Sequence, residues 1–187
     1  MPRPSDTKQR IQEVARELFA QQGVQRTSLQ EIADRLGITK PALYYHFSSR
    51  EELVRSIVQP IIDEEEAFLA DQEALGEVEP RALLEAYFDF HYRHRREIVL
   101  MLSELTTLAD LGLIDLVLDW RGRLVKLLHG PEPTLEQATR AVIAFGGLQD
   151  CTLQFADLPK DELCRAAVDG ACAALGIEPR REARRRA

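Results

Sequence analysis

Lys40, Tyr44, Tyr45 and His46 fall close together in the stretch GITKPALYYHF, which runs from Gly37 to Phe47. What they share is hydrogen-bonding capacity, to which Lys40 adds positive charge. On a helical wheel Leu43 and Phe47 lie together, Pro41, Ala42 and Tyr45 come round to the opposite side, and Tyr44 and His46 flank that outer face. Small residues at the start of such a face, with polar aromatics behind, allow close entry into a DNA major groove. Lys40 can then reach a phosphate or a guanine edge, and Pro41 or Ala42 a thymine methyl. Backbone amides at a helix start add attraction for phosphate. The wheel leaves one alternative open, that the two tyrosines pack against a neighbouring element.

The flanking residues show how that face would be held. Ile11, Val14, Ala15, Leu18 and Phe19 recur at helical spacing, and Gly23 ends this first helix. Ser28 and Glu31 form a capping-box pattern that opens a second helix, which Gly37 stops. Thr39 can cap a short third helix, with Pro41 tolerated in its first turn, ending near Phe47. Two helices joined by a glycine-bearing turn make a helix-turn-helix. Leu43 and Phe47 are expected to bury with Ile32, Ala33, Leu36 and Ile38 against the first helix. Ser49 and Glu52 repeat the box pattern before a long helix that contains Pro60. Beyond it, breaks divide the chain into about five further helices near 80–94, 96–108, 111–129, 134–156 and 160–175. The fold class is therefore all-α.

The segment RTSLQEIADRLGITKPALYYHFSSREELVRSIV resembles the N-terminal DNA-binding domain of the TetR family of transcriptional regulators, a likeness that covers about residues 7–58 and is most specific at LYYHF and SREEL. Arg50 stands where the family usually has lysine, which keeps the charge, and Pro41 stands where glycine is frequent. The resemblance implies that Thr27, Ser28, Lys40, Tyr44, Tyr45, His46 and Arg50 contact phosphates and groove, with Thr39, Pro41 and Ala42 at the same surface and Gln30 within reach of a base. Thr27 and Ser28 could equally be helix caps.

The resemblance further implies a helix-turn-helix domain at 1–50, continuing into a linking helix to about 72, and a helical effector-binding and dimerisation domain at 51–179. It also implies a homodimer with operator DNA as partner. Segments 134–156 and 160–175 suit the dimer contact: Ala144, Gly146, Gly147, Ala171 and Ala173 permit close helix approach, and Ile143, Leu148, Val168 and Leu175 supply apolar area. Tyr87, Phe88, His91 and Tyr92, with Met101, Glu104, Trp120, Gln149 and Phe155, are either the lining of a cavity for a small amphipathic or aromatic effector or plain core. The function this implies is a repressor released from its operator by a small molecule. The alternative is a helical small-molecule-binding protein or enzyme whose DNA-binding segment is inactive.

Charge and composition narrow the classes. The net charge of −7 hides a surplus of three positive charges over residues 1–50 and of four over 180–187, which leaves −14 between them. A basic contact module on an acidic body fits that distribution. The tail 180–187 has no apolar face and is expected to be disordered. Three cysteines without CxxC spacing point neither to zinc nor to a disulfide framework, and the polar start MPRPSDTKQR is no signal peptide. No membrane-length apolar run appears, and the cysteine pattern fits a reducing cytoplasm, where the protein is expected. His91, His94 and Glu97 have spacing that a metal could use, but the neighbouring Arg93, Arg95 and Arg96 favour a solvated or core role. No phosphate-binding glycine loop, HExxH or nucleophile elbow appears, so neither enzyme nor cofactor is expected.

Overall fold

The computed structural model describes residues 4–103 and 112–177; Glu104, part of the helix expected at 96–108, and the tail 180–187 lie outside them. The described residues form nine helices and no strand, so the fold is all-α. They are α1 (Pro4–Gln22), α2 (Leu29–Leu36), α3 (Lys40–His46), α4 (Arg50–Ala74), α5 (Pro80–Arg93), α6 (Arg95–Ser103), α7 (Leu113–His129), α8 (Leu135–Gln154) and α9 (Lys160–Leu175). They divide into two compact units, Met1–Glu64 with Arg96–Leu113 and Glu65–Arg95 with Ile114–Ala187. The packing boundary therefore falls inside α4, whereas the resemblance implies one at 50.

In the first unit, α1 packs on α2 and α2 on α3. Ile11, Ala15, Ile32, Ala33, Leu43 and Phe47 are almost wholly removed from solvent, as the wheel requires. Each fully buried Ile, Leu or Phe contributes about 1.5–3 kcal/mol, several times what a short helix gains from its own propensity. Leu36 and Ile38 are only half-buried. Pro60 lies inside α4, which continues through it. A proline cannot donate to the carbonyl four residues back, here that of Ser56. Gln12 of α1 fills the place: its Nε2 donates to the Ser56 carbonyl at 3.2 Å and to Ser56 Oγ at 2.9 Å. The helix thus passes its proline with the orphaned acceptor satisfied.

Both expected capping boxes are built differently. Ser28 Oγ accepts from the Glu31 amide at 3.1 Å, but the Glu31 carboxylate accepts from Gln22 Nε2 at 3.0 Å and so ties α2 to the end of α1. Ser49 Oγ accepts from the Glu52 amide at 3.1 Å, while the Glu52 carboxylate takes the amide and hydroxyl of Ser48 at 2.7 and 2.6 Å.

In the second unit α5, α8 and α9 pack on one another around Leu84, Tyr87, Phe88, Phe145, Leu148 and Val168. Of the small and apolar residues assigned to a dimer contact, Ala144, Leu148, Val168 and Ala171 are spent inside the subunit. The 3.6-residue period turns Ile143, Gly147 and Ala173 outward instead.

Candidate nucleic-acid interface

The turn between α2 and α3 is set by Gly37, whose φ of 67° is left-handed. Its amide and that of Ile38 close the end of α2, the latter on the Ala33 carbonyl at 3.0 Å. Thr39 then caps α3, its Oγ1 accepting from the Ala42 amide at 3.4 Å. With Leu43 and Phe47 committed to the core, the far side of α3 faces solvent: Tyr45 is 82% exposed and Tyr44 44%. Pro41, Ala42 and Lys40 are exposed as well and His46 half-buried. The tyrosines therefore do not pack into a neighbouring element. Tyr45 meets His46 edge-on with ring centroids 5.3 Å apart, and Lys40 Nζ lies 5.6 Å from the centroid of the Tyr44 ring. The result is a basic, hydrogen-bonding aromatic surface with little bulk at its leading end.

Other residues expected at this surface are differently placed. Thr27 is 1% exposed; its hydroxyl donates to the Gly23 carbonyl at 2.8 Å and accepts from Gln22 Nε2 at 3.2 Å. It is corrected from a DNA contact to a buried brace of the α1–α2 turn. Ser28 is exposed but occupied as the cap of α2. Gln30 is exposed and donates to Asp34 Oδ1 at 2.7 Å. The Arg50 guanidinium is engaged with the carbonyls of Val24 and Gln25 at 3.3 and 3.1 Å and with Gln25 Oε1 at 3.0 Å. A cation that sequence did not single out, Lys8, lies 5.5 Å from the centroid of the Phe47 ring. Its signal was too weak to read, since a lysine on the polar side of α1 has the same pattern as any solvated lysine.

The second unit holds a separate polar group in its interior. Tyr87 is buried against His91 and Phe145, with centroids 4.0 and 4.9 Å away. His91 Nδ1 lies 3.0 Å from the Tyr87 carbonyl oxygen. A carbonyl only accepts, so Nδ1 carries the proton and Nε2 is left as an acceptor. Burial lowers the His91 pKa to about 4, which keeps the ring neutral, and burial also raises the Tyr87 phenol above its ordinary range. Gln149 accepts from Arg121 Nη2 at 2.8 Å. Glu65 is pushed up to about 7 by desolvation, against the attraction of Arg121. Sequence reading named Tyr87, His91 and Gln149 but missed Arg121 and Glu65. The latter sits in the run DEEEAF, where only the helical phase separates it from Glu66, which pairs outward with Arg123 at 2.7 Å.

The remaining effector candidates are not gathered there. Phe88 is buried and stacks on Tyr92 at 5.7 Å. Trp120 donates to Glu66 Oε2 at 3.0 Å. Phe155 is 47% exposed beyond the end of α8, and Met101 is half-buried in the first unit. Of the metal-spaced set, His91 is engaged as described, His94 tilts against Phe90 at 4.8 Å, and Glu97 lies 3.8 Å from Arg16.

A buried three-helix support, a glycine turn and an exposed polar-aromatic short helix define a helix-turn-helix protein. Residues 11–57 match the family described as bacterial regulatory proteins, tetR family. The HTH-type transcriptional regulator AcrR of Shigella flexneri is 48% identical over 52 residues, 28% of this chain and 24% of that protein. The HTH-type transcriptional regulator TtgR of Pseudomonas putida is 33% identical over 75 residues, 40% of this chain and 36% of that protein. These curated relatives are thus matched over well under half their own length. Among solved structures, the TetR family transcriptional regulator PfmR of Thermus thermophilus superposes with a TM-score of 0.69 at 28% identity, covering 91% of this chain and all of that one. The chain thus carries, over residues 11–57, a segment that matches the tetR family.

Proposed function

We propose that the protein is a DNA-binding transcriptional regulator, a repressor that leaves its operator when a small molecule binds the second unit. The observation that carries this reading is the outward face of α3, where Lys40, Tyr44 and Tyr45 stand free of the core within the stretch that matches the family. A single seven-residue helix touches few base pairs, so specific binding requires two copies. Two such helices in a symmetric homodimer would read half-sites separated by about one turn of DNA, ~34–36 Å, or a multiple of it. The exposed apolar residues Leu135, Val142 and Ile143 on α8 support dimerisation through that helix. No helix among the described residues is long and apolar enough to cross a membrane.

Selection of bound genomic fragments by the purified protein, followed by titration at several salt concentrations, tests the reading. A pseudopalindromic fragment bound with steep salt dependence is expected. Weak binding without sequence preference would favour the alternative, a ligand-binding helical protein with an idle DNA segment.

A further inference from the structure

Glu65 and Arg121 carry opposite formal charges and act on one another electrostatically, yet the Glu65 carboxyl makes no hydrogen bond or ion pair among the described residues. Glu65 is half-buried, and its partial desolvation outweighs the pull of Arg121. Arg121 is held in place from the other side. Nη2 donates to Gln149 Oε1 at 2.8 Å, and Nη1 lies 3.3 Å from where a Cβ on residue 146 would stand, so glycine there leaves the guanidinium its seat. A guanidinium has five N–H donors, and Gln149 takes one. Among the described residues, the charged and titratable groups around this cluster are Tyr87 and His91 from α5, His94 at the end of α5, which acts on His91, and Asp150 from α8, which acts on Tyr87. His91 is neutral, and Asp150 is exposed.

We propose that this interior cluster binds the carboxylate of a small amphipathic organic acid, with Arg121 as the charged anchor, Glu65 as a hydrogen-bond donor to the bound carboxylate, and the rings of Tyr87, His91 and Phe145 beside its apolar body. Arg121 is half-buried and makes no ion pair among the described residues, so an anion neutralises its charge and a cation worsens the balance. The guanidinium fork also matches a carboxylate in shape. The inference rests on the reading of the second unit as the effector domain.

The test is calorimetric titration of the full-length protein with naphthoate, naphthamide and naphthylmethylammonium ion, three probes of one size and different charge. Naphthoate should bind at least about tenfold tighter than the amide, as a charge-assisted bond requires, and the ammonium ion weakest. Because Glu65 must keep its proton beside the bound anion, naphthoate affinity should fall up to about tenfold from pH 6 to pH 8, and Glu65→Gln should remove that fall. Arg121→Gln should erase the preference for naphthoate over naphthamide. If that variant unfolds, Gly146→Ala, which presses on Nη1, should weaken the preference in its place. Equal affinity for acid and amide, tightest binding of the ammonium ion, no binding of naphthoate, or a preference that survives both variants would overturn the proposal. Operator titration in parallel separates it from the wider reading. Naphthoate that binds without loosening DNA leaves the carboxylate site standing and removes the regulator's ligand release. Release by the amide or the ammonium ion alone does the reverse.

Discussion

At the scale of single residues, the two halves of the helix-turn-helix surface make different contributions. Tyr45 and Lys40 are free of intramolecular hydrogen bonds that the fold depends on, so truncating either should leave thermal stability unchanged. Loss of a base or phosphate contact is worth about 1–3 kcal/mol, or roughly ten- to hundredfold in operator affinity. Lys40→Ala should also reduce the slope of log K against log salt by about one, if the lysine neutralises a phosphate. Anisotropy titrations at fixed and varied salt check both; unchanged affinity in both variants would remove this face from the interface. Thr27 behaves in the opposite way. Thr27→Val keeps the shape but orphans the Gly23 carbonyl, while Gln22 Nε2 keeps its bonds to Glu31, at a cost of about 1–3 kcal/mol in urea unfolding. Operator affinity of the remaining folded protein should stay near that of the parent.

At the scale of elements, the decisive joints are those where the backbone must do something a helix cannot. Gly37 is in the left-handed region at φ 67°, with open space around the position of a Cβ. Gly37→Ala therefore costs backbone strain without a clash, about 1–2 kcal/mol, and tilts α3 before it breaks anything. A fall in melting temperature of several degrees is expected, with operator affinity reduced further than stability alone explains. An unchanged melting temperature would mean that the turn relaxes into another conformation. Pro60 teaches the converse lesson. A proline inside a helix removes one backbone hydrogen bond, yet the carbonyl that Pro60 strands is taken by Gln12 from α1.

At the scale of the molecule, assembly and pH response both follow from what the interior leaves over. Ile143 is 64% exposed, and Gly147, one turn on, has nothing within 4 Å of a Cβ. Gly147→Leu therefore costs nothing inside the subunit and even improves helix propensity. If this face meets a second copy, the leucine should yield folded monomers in sedimentation equilibrium, and a surviving dimer would place the contact elsewhere. The buried pair of titrating groups makes the other prediction. Glu65 has a folded pKa of about 7 against an ordinary 4.5, so its contribution to stability is complete below 4.5 and is lost as pH rises through 7. His91, at about 4 against 6.5, contributes above 6.5 and loses that contribution as pH falls through 4. Between about pH 4.5 and 6.5 folding takes up one proton and releases another, so the two slopes cancel. Glu65→Gln should unmask the His91 slope, up to about 1.4 kcal/mol per pH unit, in urea unfolding across that window. Parallel profiles for the variant and its parent would show that Glu65 does not hold its proton in the fold.

The local code was sufficient for what depends on neighbours along the chain. Helical periodicity, the glycine at 37, the cap at 39 and the opposition of Leu43 to Tyr45 are all properties of a few consecutive residues, and together they specify a three-helix support with one face left polar. Partner choice was not local. The resemblance places Thr27 and Arg50 at the DNA surface, but the turn after α1 buries Thr27 and engages its hydroxyl, and the Arg50 guanidinium rests on carbonyls of the same turn while staying half-exposed. Glu65 and Glu66 are adjacent and chemically identical. A rotation of about 100° along one helix sends one to Arg123 at the surface and the other into low dielectric near Arg121, and only the tertiary packing of α4 against its neighbours decides which.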